Sequence, residues 1–167
     1  MNIFYLDHDP IVAAKQLPDK HIVKMPVEAV QMLVSVLQRH DVLHEVNTKK
    51  GTRHKGGYRH HPCTKWAGDS RANFLWLWTW GIALCKEYTF RYEKHHFAER
   101  QLLTILQYAH DIPEGDLSEA PQAMPEECKV EGDVVLAYRN CINHKLRERP
   151  GVFTWKKTRT APEWAVT

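Results

Sequence analysis

Residues 19–38 combine a largely apolar helical pattern with a single polar stripe. The polar positions are spaced three or four residues apart, at His21, Lys24, Glu28, Gln31 and Ser35. At ~100° per residue these side chains share one face of an α-helix. The pattern predicts a helix from Asp19 to about His44, with a kink at Pro26. Because the other faces are apolar, we expect a central helix whose stripe either forms paired polar contacts or lines an internal site.

A second long helix is predicted between residues 69 and 96, and it repeats this arrangement. One face carries Asn73, Trp76, Trp80, Glu87, Arg91 and Lys94. If the two helices pack side by side, Glu28 would meet Glu87 and Arg91 in the middle of the molecule. Two interpretations stay open, namely a buried salt-bridge network and a ligand pocket with aromatic walls from the two tryptophans.

Helix-capping residues mark further elements, and no stretch alternates apolar and polar positions as a strand would. Asp9 and Asp133 are predicted to begin helices, and Asp69 or Ser70 begins the second long one. The other segments are a helix at 98–110, a basic loop at 47–66, an acidic connector at 112–133 and a C-terminal tail at 150–167. The sequence therefore predicts an all-α fold.

Length and composition favour a small intracellular protein. The chain has 167 residues, and we expect residues 1–167 to form one compact helical domain. It has no run of eighteen apolar residues, and its opening, MNIFYLDHDP, lacks the basic flank and apolar core of a secretory signal. The four cysteines are far apart without a CxxC pair, which favours reduced thiols. We expect a cytoplasmic monomer that does not enter a membrane.

Histidines cluster at two places where a metal site has to be considered. His60, His61 and Cys63 lie close together, and His40 and His44 have a spacing that places two imidazoles on one helix face. Neither group belongs to an HExxH motif, and no second set of ligands follows at a defined spacing. We therefore predict no metal and no cofactor.

The charge distribution points to a polyanionic partner. The formal net charge is +3, although the acidic connector holds seven acids against Lys129 alone, so the rest of the chain is strongly basic. Candidate phosphate-binding residues in the loop are Lys49, Lys50, Arg53, Lys55, Arg59 and Lys65, and in the tail Lys156, Lys157 and Arg159. Aromatic residues in both segments can stack on bases, which favours DNA as the partner.

The chain resembles the small phage-type pyrimidine-dimer DNA glycosylases, which combine base excision with strand cleavage at a basic site. The resemblance begins at Asp19-Lys20-His21-Ile22, with Glu28 seven residues after the histidine. The aromatic helix NFLWLWTWGIALCKEYTFRY and the tail segment RPGVFTWKK follow in the same order. The resemblance implies that Glu28 has the role of the family's catalytic glutamate. It also implies that an N-terminal α-amine, here that of Met1, is the nucleophile. Lys24 is a second candidate nucleophile, since it lies one turn from both His21 and Glu28 and desolvation would lower its pKa.

The sequence thus predicts a DNA glycosylase, with possible lyase activity, that acts on a pyrimidine-type base extruded from the duplex. Glu28 would be the acid/base, and His21 would orient it or a phosphate. Predicted substrate contacts are Gln31, Asn73, Trp76, Trp80, Glu87 and Arg91. Two alternatives stay open, namely a transferase or nucleotide-processing enzyme of the same fold that modifies a base, and a phage accessory protein that binds nucleic acid or a nucleotide without catalysis.

Overall fold

Helices account for all the regular secondary structure in residues 2–166, the part of the chain that the computed structural model describes. The α-helices are α1 (Pro10–Lys15), α2 (Asp19–Arg39), α3 (Pro62–Ala67), α4 (Arg71–Tyr92), α5 (Ala98–Leu106) and α6 (Val134–Glu148). Short 3-10 helices cover Ala109–Asp111 and Glu126–Cys128. One isolated bridge joins Asn47 to Arg53. The prediction of an all-α fold is confirmed.

Helices α2 and α4 form the centre of the molecule. Each packs against the other and against α3 and α5, and α4 also covers α1. The contact is close at Gly81, where a Cβ atom would lie only 3.2 Å from the side chains of Ala29 and Leu102. Leu33 and Leu77 are fully buried in this core. The apolar circumference of both helices is therefore explained by neighbours on most sides.

Three of the predicted helix starts are confirmed by their capping hydrogen bonds. The carboxylate of Asp9 accepts from the backbone N–H of Ile11 at 2.7 Å, and the hydroxyl of Ser70 accepts from that of Asn73 at 3.1 Å. Asp133 caps α6 in the same way. Each side-chain oxygen satisfies an N–H group that has no partner within the first helical turn.

Other predicted boundaries are wrong. Helix α2 ends at Arg39 rather than near His44, and Nε2 of His40 lies 2.8 Å from the carbonyl oxygen of Gly68. The cap of α2 is Pro18, because the carboxylate of Asp19 instead contacts Arg91. The loop predicted for 47–66 is also shorter, since its last residues form α3.

The histidines near α3 have structural roles. Nδ1 of His61 accepts a hydrogen bond from the backbone N–H of Cys63 at 3.2 Å and caps α3. Nδ1 of His54 accepts from the N–H of Gly56 at 3.0 Å within the loop. Both interactions need a neutral imidazole with an unprotonated Nδ1.

The basic loop crosses over the polar stripe of α2 at two glycines, Gly56 and Gly57. The hydroxyl of Ser35 donates to the carbonyl of Gly57 at 2.9 Å, and the N–H of Gly57 donates to the carbonyl of Gln31 at 3.1 Å. Gly56 has a φ of +69°, and a Cβ atom there would lie 2.4 Å from Oγ of Ser35. Only glycine fits this crossing without displacement.

The acidic connector and the tail are packed against the helices at defined points. Ile112 and Ala120 of the connector are buried. In the tail, the indole N–H of Trp155 donates to the carbonyl of Gln16 at 3.0 Å, and that of Trp164 donates to the Gln16 side chain at 3.1 Å. In the described part of the chain, no helix combines the length and apolar character needed to cross a membrane.

Candidate active site

A cavity of about 340 Å³ opens beside the N-terminal half of α2. Helix α2 contributes Lys20, His21, Lys24, Met25 and Glu28 to its lining. The other walls come from Asn2 and Phe4, from residues 123–125 of the connector, from Cys141 and Lys145 of α6, and from Phe153 of the tail. The three residues that the sequence assigns to catalysis on α2 are therefore brought together in one pocket. Met1, the fourth, lies outside the described residues.

Glu28 is a buried carboxylate within this pocket, with 4% of its surface exposed. Its Oε1 lies 2.9 Å from Nζ of Lys24, one turn earlier on the same helix. The Lys24 side chain is 72% exposed, so the pair connects the interior of the pocket to its rim. The hydrogen bond from Lys24 and the attraction of the carboxylate raise the pKa of the Lys24 amine. The expectation that desolvation lowers the pKa of Lys24 is therefore wrong, because its ion pair with Glu28 dominates.

His21 lies between two aromatic rings and is 8% exposed. The ring centroid of Phe4 is 4.7 Å away and that of Phe153 is 5.1 Å away. Burial, with smaller contributions from Lys145, Lys24 and Lys20, lowers the pKa of His21 to about 3. The imidazole is therefore neutral at neutral pH, and its Nδ1 has no hydrogen-bond partner within residues 2–166.

The rim of the pocket is positively charged. Lys20, Lys24 and Lys145 line it, and Glu28 is the acidic residue among the lining side chains. Cations around a concave surface raise the local concentration of anionic ligands. The pocket is therefore suited to an anion whose reacting part enters toward Glu28.

The prediction that the polar stripes of α2 and α4 form one joint site is wrong. Arg91 donates to Glu87 at 2.8 Å, to Asp19 at 3.0 Å and to the carbonyl of Leu17 at 2.8 Å. Neither Arg91 nor Glu87 lines the pocket around Glu28. The polar stripe of α4 instead contacts the first turn of α2. Of the two interpretations, the buried salt-bridge network is the one that describes Glu87 and Arg91.

Arg159 completes this network from the tail. Its guanidinium donates to both oxygens of Glu87, at 2.7 and 3.0 Å. Burial would raise the pKa of Glu87, but hydrogen bonds from Arg159 and Arg91 hold it below its ordinary value. The charge of Arg159 is therefore compensated within the protein, which argues against its predicted role as a DNA contact.

The other predicted substrate contacts lie away from the pocket. Trp80 is fully buried, and Trp76 stacks on Tyr5 with the ring centroids 4.3 Å apart. Asn73 donates to the carbonyl of Trp66 at 2.8 Å, deep in the core. Gln31 lies one turn beyond Glu28, and Gly57 packs against its side chain. These four positions build the core and the loop crossing, because α4 has neighbours around most of its circumference.

The predicted phosphate-binding residues of the loop are exposed. This holds for Lys49, Lys50, Arg53, Lys55, Arg59 and Lys65, and in the tail for Lys156 and Lys157. Nζ of Lys49 lies 3.8 Å from the ring centroid of Phe97. Within residues 2–166, none of these loop cations forms an ion pair, so their charges are available to a large anionic ligand.

Several residues that line the pocket are not among the site residues predicted from the sequence. Lys20 precedes Lys24 by four residues, so the helical spacing was a usable signal for it. Lys145 and residues 123–125 carry no such signal, because they reach the pocket only through the packing of α6 and the connector. Phe153 belongs to the aromatic tail segment that the resemblance had singled out.

The fold and the pocket together define an all-α protein with a buried glutamate in a lysine-rimmed cavity. A family model described as pyrimidine dimer DNA glycosylase matches residues 1–100, more than half of the chain. The chain belongs to this family, which confirms the resemblance and implies a DNA substrate. Among curated proteins and among solved structures, no match is found. The matched region contains His21, Lys24 and Glu28, whereas Lys145 and Phe153 lie beyond it.

Proposed function

We propose that the protein is a pyrimidine dimer DNA glycosylase in which Glu28 is the catalytic carboxylate. The main support is the position of Glu28, which is buried within a lysine-rimmed cavity in the region that matches the family. The protein would bind duplex DNA as a monomer in the cytoplasm. Its substrate would be a pyrimidine-type base extruded from the helix.

The cavity has a volume that suits part of one nucleotide, such as an extruded base, rather than a length of duplex. About 340 Å³ lies at the lower end of the range for small-ligand sites. Extruding a nucleotide costs a few kcal/mol, and the cost is smallest where damage has already weakened pairing. Phe4 and Phe153 offer aromatic surface at the cavity, and the lysine rim would hold the flanking phosphates.

Glu28 would act on charge that develops at the deoxyribose. Cleavage of the bond between C1′ and the base leaves positive charge on the sugar, and a fixed carboxylate in a buried site stabilises such charge strongly. The ion pair with Lys24 holds the carboxylate in position. His21, neutral and packed between two rings, would orient the sugar or a phosphate.

An amine nucleophile would complete the reaction, as the family resemblance implies. The nitrogen lone pair forms a bond to C1′ while the bond from C1′ to the base breaks, and the base leaves with the bonding electrons and takes up a proton. Opening of the sugar ring then gives an imine, from which elimination of the 3′ phosphate would break the strand. The raised pKa of Lys24 disfavours it as this nucleophile. The α-amine of Met1 is the better candidate, since the adjacent Asn2 lines the cavity.

The test of Glu28 uses a duplex with one thymine dimer. Glu28→Gln keeps the shape of the side chain but removes its charge and its proton-transfer capacity. We expect the variant to bind the duplex with nearly unchanged affinity in fluorescence anisotropy, while strand cleavage on denaturing gels is abolished. Glu119→Gln, at an exposed position of the connector, is the matched control and should cleave normally.

Full activity of the Gln variant would eliminate Glu28 as the catalyst. Wild-type protein that binds the duplex but leaves both glycosidic bonds of the dimer intact would favour the non-catalytic accessory protein. A base that is chemically altered while its bond to C1′ stays intact would favour the transferase.

The nucleophile is identified by trapping with borohydride, which reduces an imine to a stable adduct. An adduct at Met1 would lie in the tryptic peptide of residues 1–15, whereas one at Lys24 would block cleavage there and lie in residues 21–39. We expect the first result, with trapping retained in Lys24→Ala and blocked by acetylation of the N-terminus. The absence of any adduct on abasic and dimer-containing duplexes would contradict the amine mechanism.

A further inference from the structure

A second cavity lies at the other end of the same polar stripe of α2. Its volume is about 530 Å³, and α2, the basic loop and α3 all contribute to it. The polar lining residues that matter here are Arg39, Arg59, Thr64, Lys65 and Asp69. None of them lines the pocket around Glu28.

The charges of this cavity favour an anion. Arg39 is already engaged, since its guanidinium lies 2.8 Å from the carboxylate of Asp69 and 2.8 Å from the carbonyl of Lys65. The charged groups of Arg59 and Lys65, in contrast, form no ion pair within residues 2–166, and both side chains are exposed. The side chains of Arg59 and Lys65 are therefore available to an anion, and Arg39 holds the backbone carbonyl of Lys65.

Thr64 provides an independent sign of a ligand. It is 3% exposed, and its hydroxyl has no hydrogen-bond partner in the described part of the chain. A buried polar group without a partner is costly, and such groups are uncommon in folded proteins. An oxygen atom bound in the cavity would accept a hydrogen bond from this hydroxyl.

The two cavities are separated along α2 by a distance that corresponds to several base pairs of a duplex. Lys24 and Arg39 are fifteen positions apart on α2, which corresponds to about 22 Å along the helix axis. At a rise of ~3.4 Å per base pair, this distance spans about six or seven base pairs. The loop crosses α2 between the two cavities, at Gly56 and Gly57, and carries Arg59 toward the second one.

We propose that the second cavity binds backbone phosphates of the same DNA duplex, about six or seven base pairs from the damaged nucleotide. Arg59 and Lys65 contact the phosphates, and Thr64 donates to a phosphate oxygen. Helix α2 runs from the pocket around Glu28 to the second cavity in a single direction. The second cavity therefore contacts phosphates on one side of the lesion only. This inference rests on the proposed function, since it takes the pocket around Glu28 as the site of the damaged nucleotide.

The test measures the binding of three duplexes that carry one thymine dimer. One duplex has twelve base pairs on each side of the dimer, and each of the other two is trimmed to four on one side. Wild type is compared with Arg59→Ala/Lys65→Ala, whose changes are at exposed positions. The control is Lys86→Ala/Lys94→Ala, which removes the same charge from exposed positions outside both cavities.

On the full duplex, the slope of log K against log salt for Arg59→Ala/Lys65→Ala should be shallower than the wild-type slope by about 1.8. Between 200 and 50 mM salt the affinity ratio of wild type to variant should then rise about twelvefold. Trimming one particular flank should remove this difference, and trimming the other should preserve it. The control variant should show no dependence on either flank.

Wild-type affinity and slope in Arg59→Ala/Lys65→Ala on the full duplex would overturn the proposal, as would an equal loss on both trimmed duplexes. Dimer excision by the wild type is recorded in parallel. Its absence on every duplex would refute the glycosylase assignment, whereas the flank dependence is determined from binding alone. The two failures are therefore distinguishable.

Discussion

Acidification should destabilise the protein through His21, and the substitution His21→Phe should remove that part of the effect. The imidazole is buried between Phe4 and Phe153, and burial with three nearby lysines lowers its pKa from 6.5 to about 3. The unfolded chain therefore binds a proton at this residue more readily than the folded protein does. The stabilisation is complete above pH 6.5 and is lost as the pH falls from 6.5 toward 3.

The size of the effect follows from the width of this window. Each pH unit below 6.5 removes about 1.4 kcal/mol of the free energy of unfolding, because one pKa unit corresponds to that difference. Between pH 7 and pH 4.5 the loss through His21 amounts to about 3 kcal/mol. This is a large part of the roughly 5–15 kcal/mol that stabilises a typical domain.

Urea unfolding at pH 7.0, 6.0, 5.0 and 4.5, followed by tryptophan fluorescence, measures this difference. Burial also lowers the pKa of His44, His54, His61 and His96, but these residues are present in both proteins and cancel in the comparison. The wild type should lose about 3 kcal/mol more than His21→Phe over this range. His95→Phe, an exposed control, should follow the wild type. Parallel curves for wild type and His21→Phe would refute the reasoning.

Three other substitutions test features of the fold and the surface. Arg91→Ala removes the buried ion-pair partner of Asp19 and one of the two arginine partners of Glu87, and it should lower the free energy of unfolding by about 3–5 kcal/mol in urea titrations; a loss below 1 kcal/mol would show that the network contributes little. Gly56→Ala should cost about 1–3 kcal/mol more than Gly51→Ala, because both residues have positive φ but only Gly56 is crowded, by Ser35. Equal losses would contradict the close crossing. Replacing four loop cations by alanine should flatten the salt dependence of DNA binding by up to about 3.6 in slope, and an unchanged slope would exclude DNA contacts by the loop. These four are Lys49, Lys50, Arg53 and Lys55.

Local chemistry explains which parts of the fold could be predicted. The 3.6-residue period of α2 and the capping oxygens of Asp9, Ser70 and Asp133 act within a few residues, so the sequence displays them directly. The pattern of the sequence does not predict helix α3, because its six residues lie within a loop-like composition. Its stability depends on burial of Trp66 and on the cap at His61, and the first of these is a tertiary contact.

The candidate site was predictable only where one helix carries it. His21, Lys24 and Glu28 share a stripe and a family resemblance, and they do line one pocket. The aromatic face of α4 is typical of a ligand wall in its composition, but Trp80 is fully buried in the core. Lys145 could not be placed, because nothing in α6 alone shows which of its residues faces α2.

The contact of Phe153 with His21 has a consequence for the synthesis of the protein. Glu28 and Phe153 are 125 positions apart, and both line the same pocket. At a translation rate of about 5–20 residues per second, the ribosome needs about 6–25 seconds to pass from one to the other. During that interval the carboxylate and the lysines of α2 already exist in a nascent chain that lacks the wall formed by α6 and the tail. A ribosome stalled before residue 153 therefore holds a chain whose pocket is incomplete.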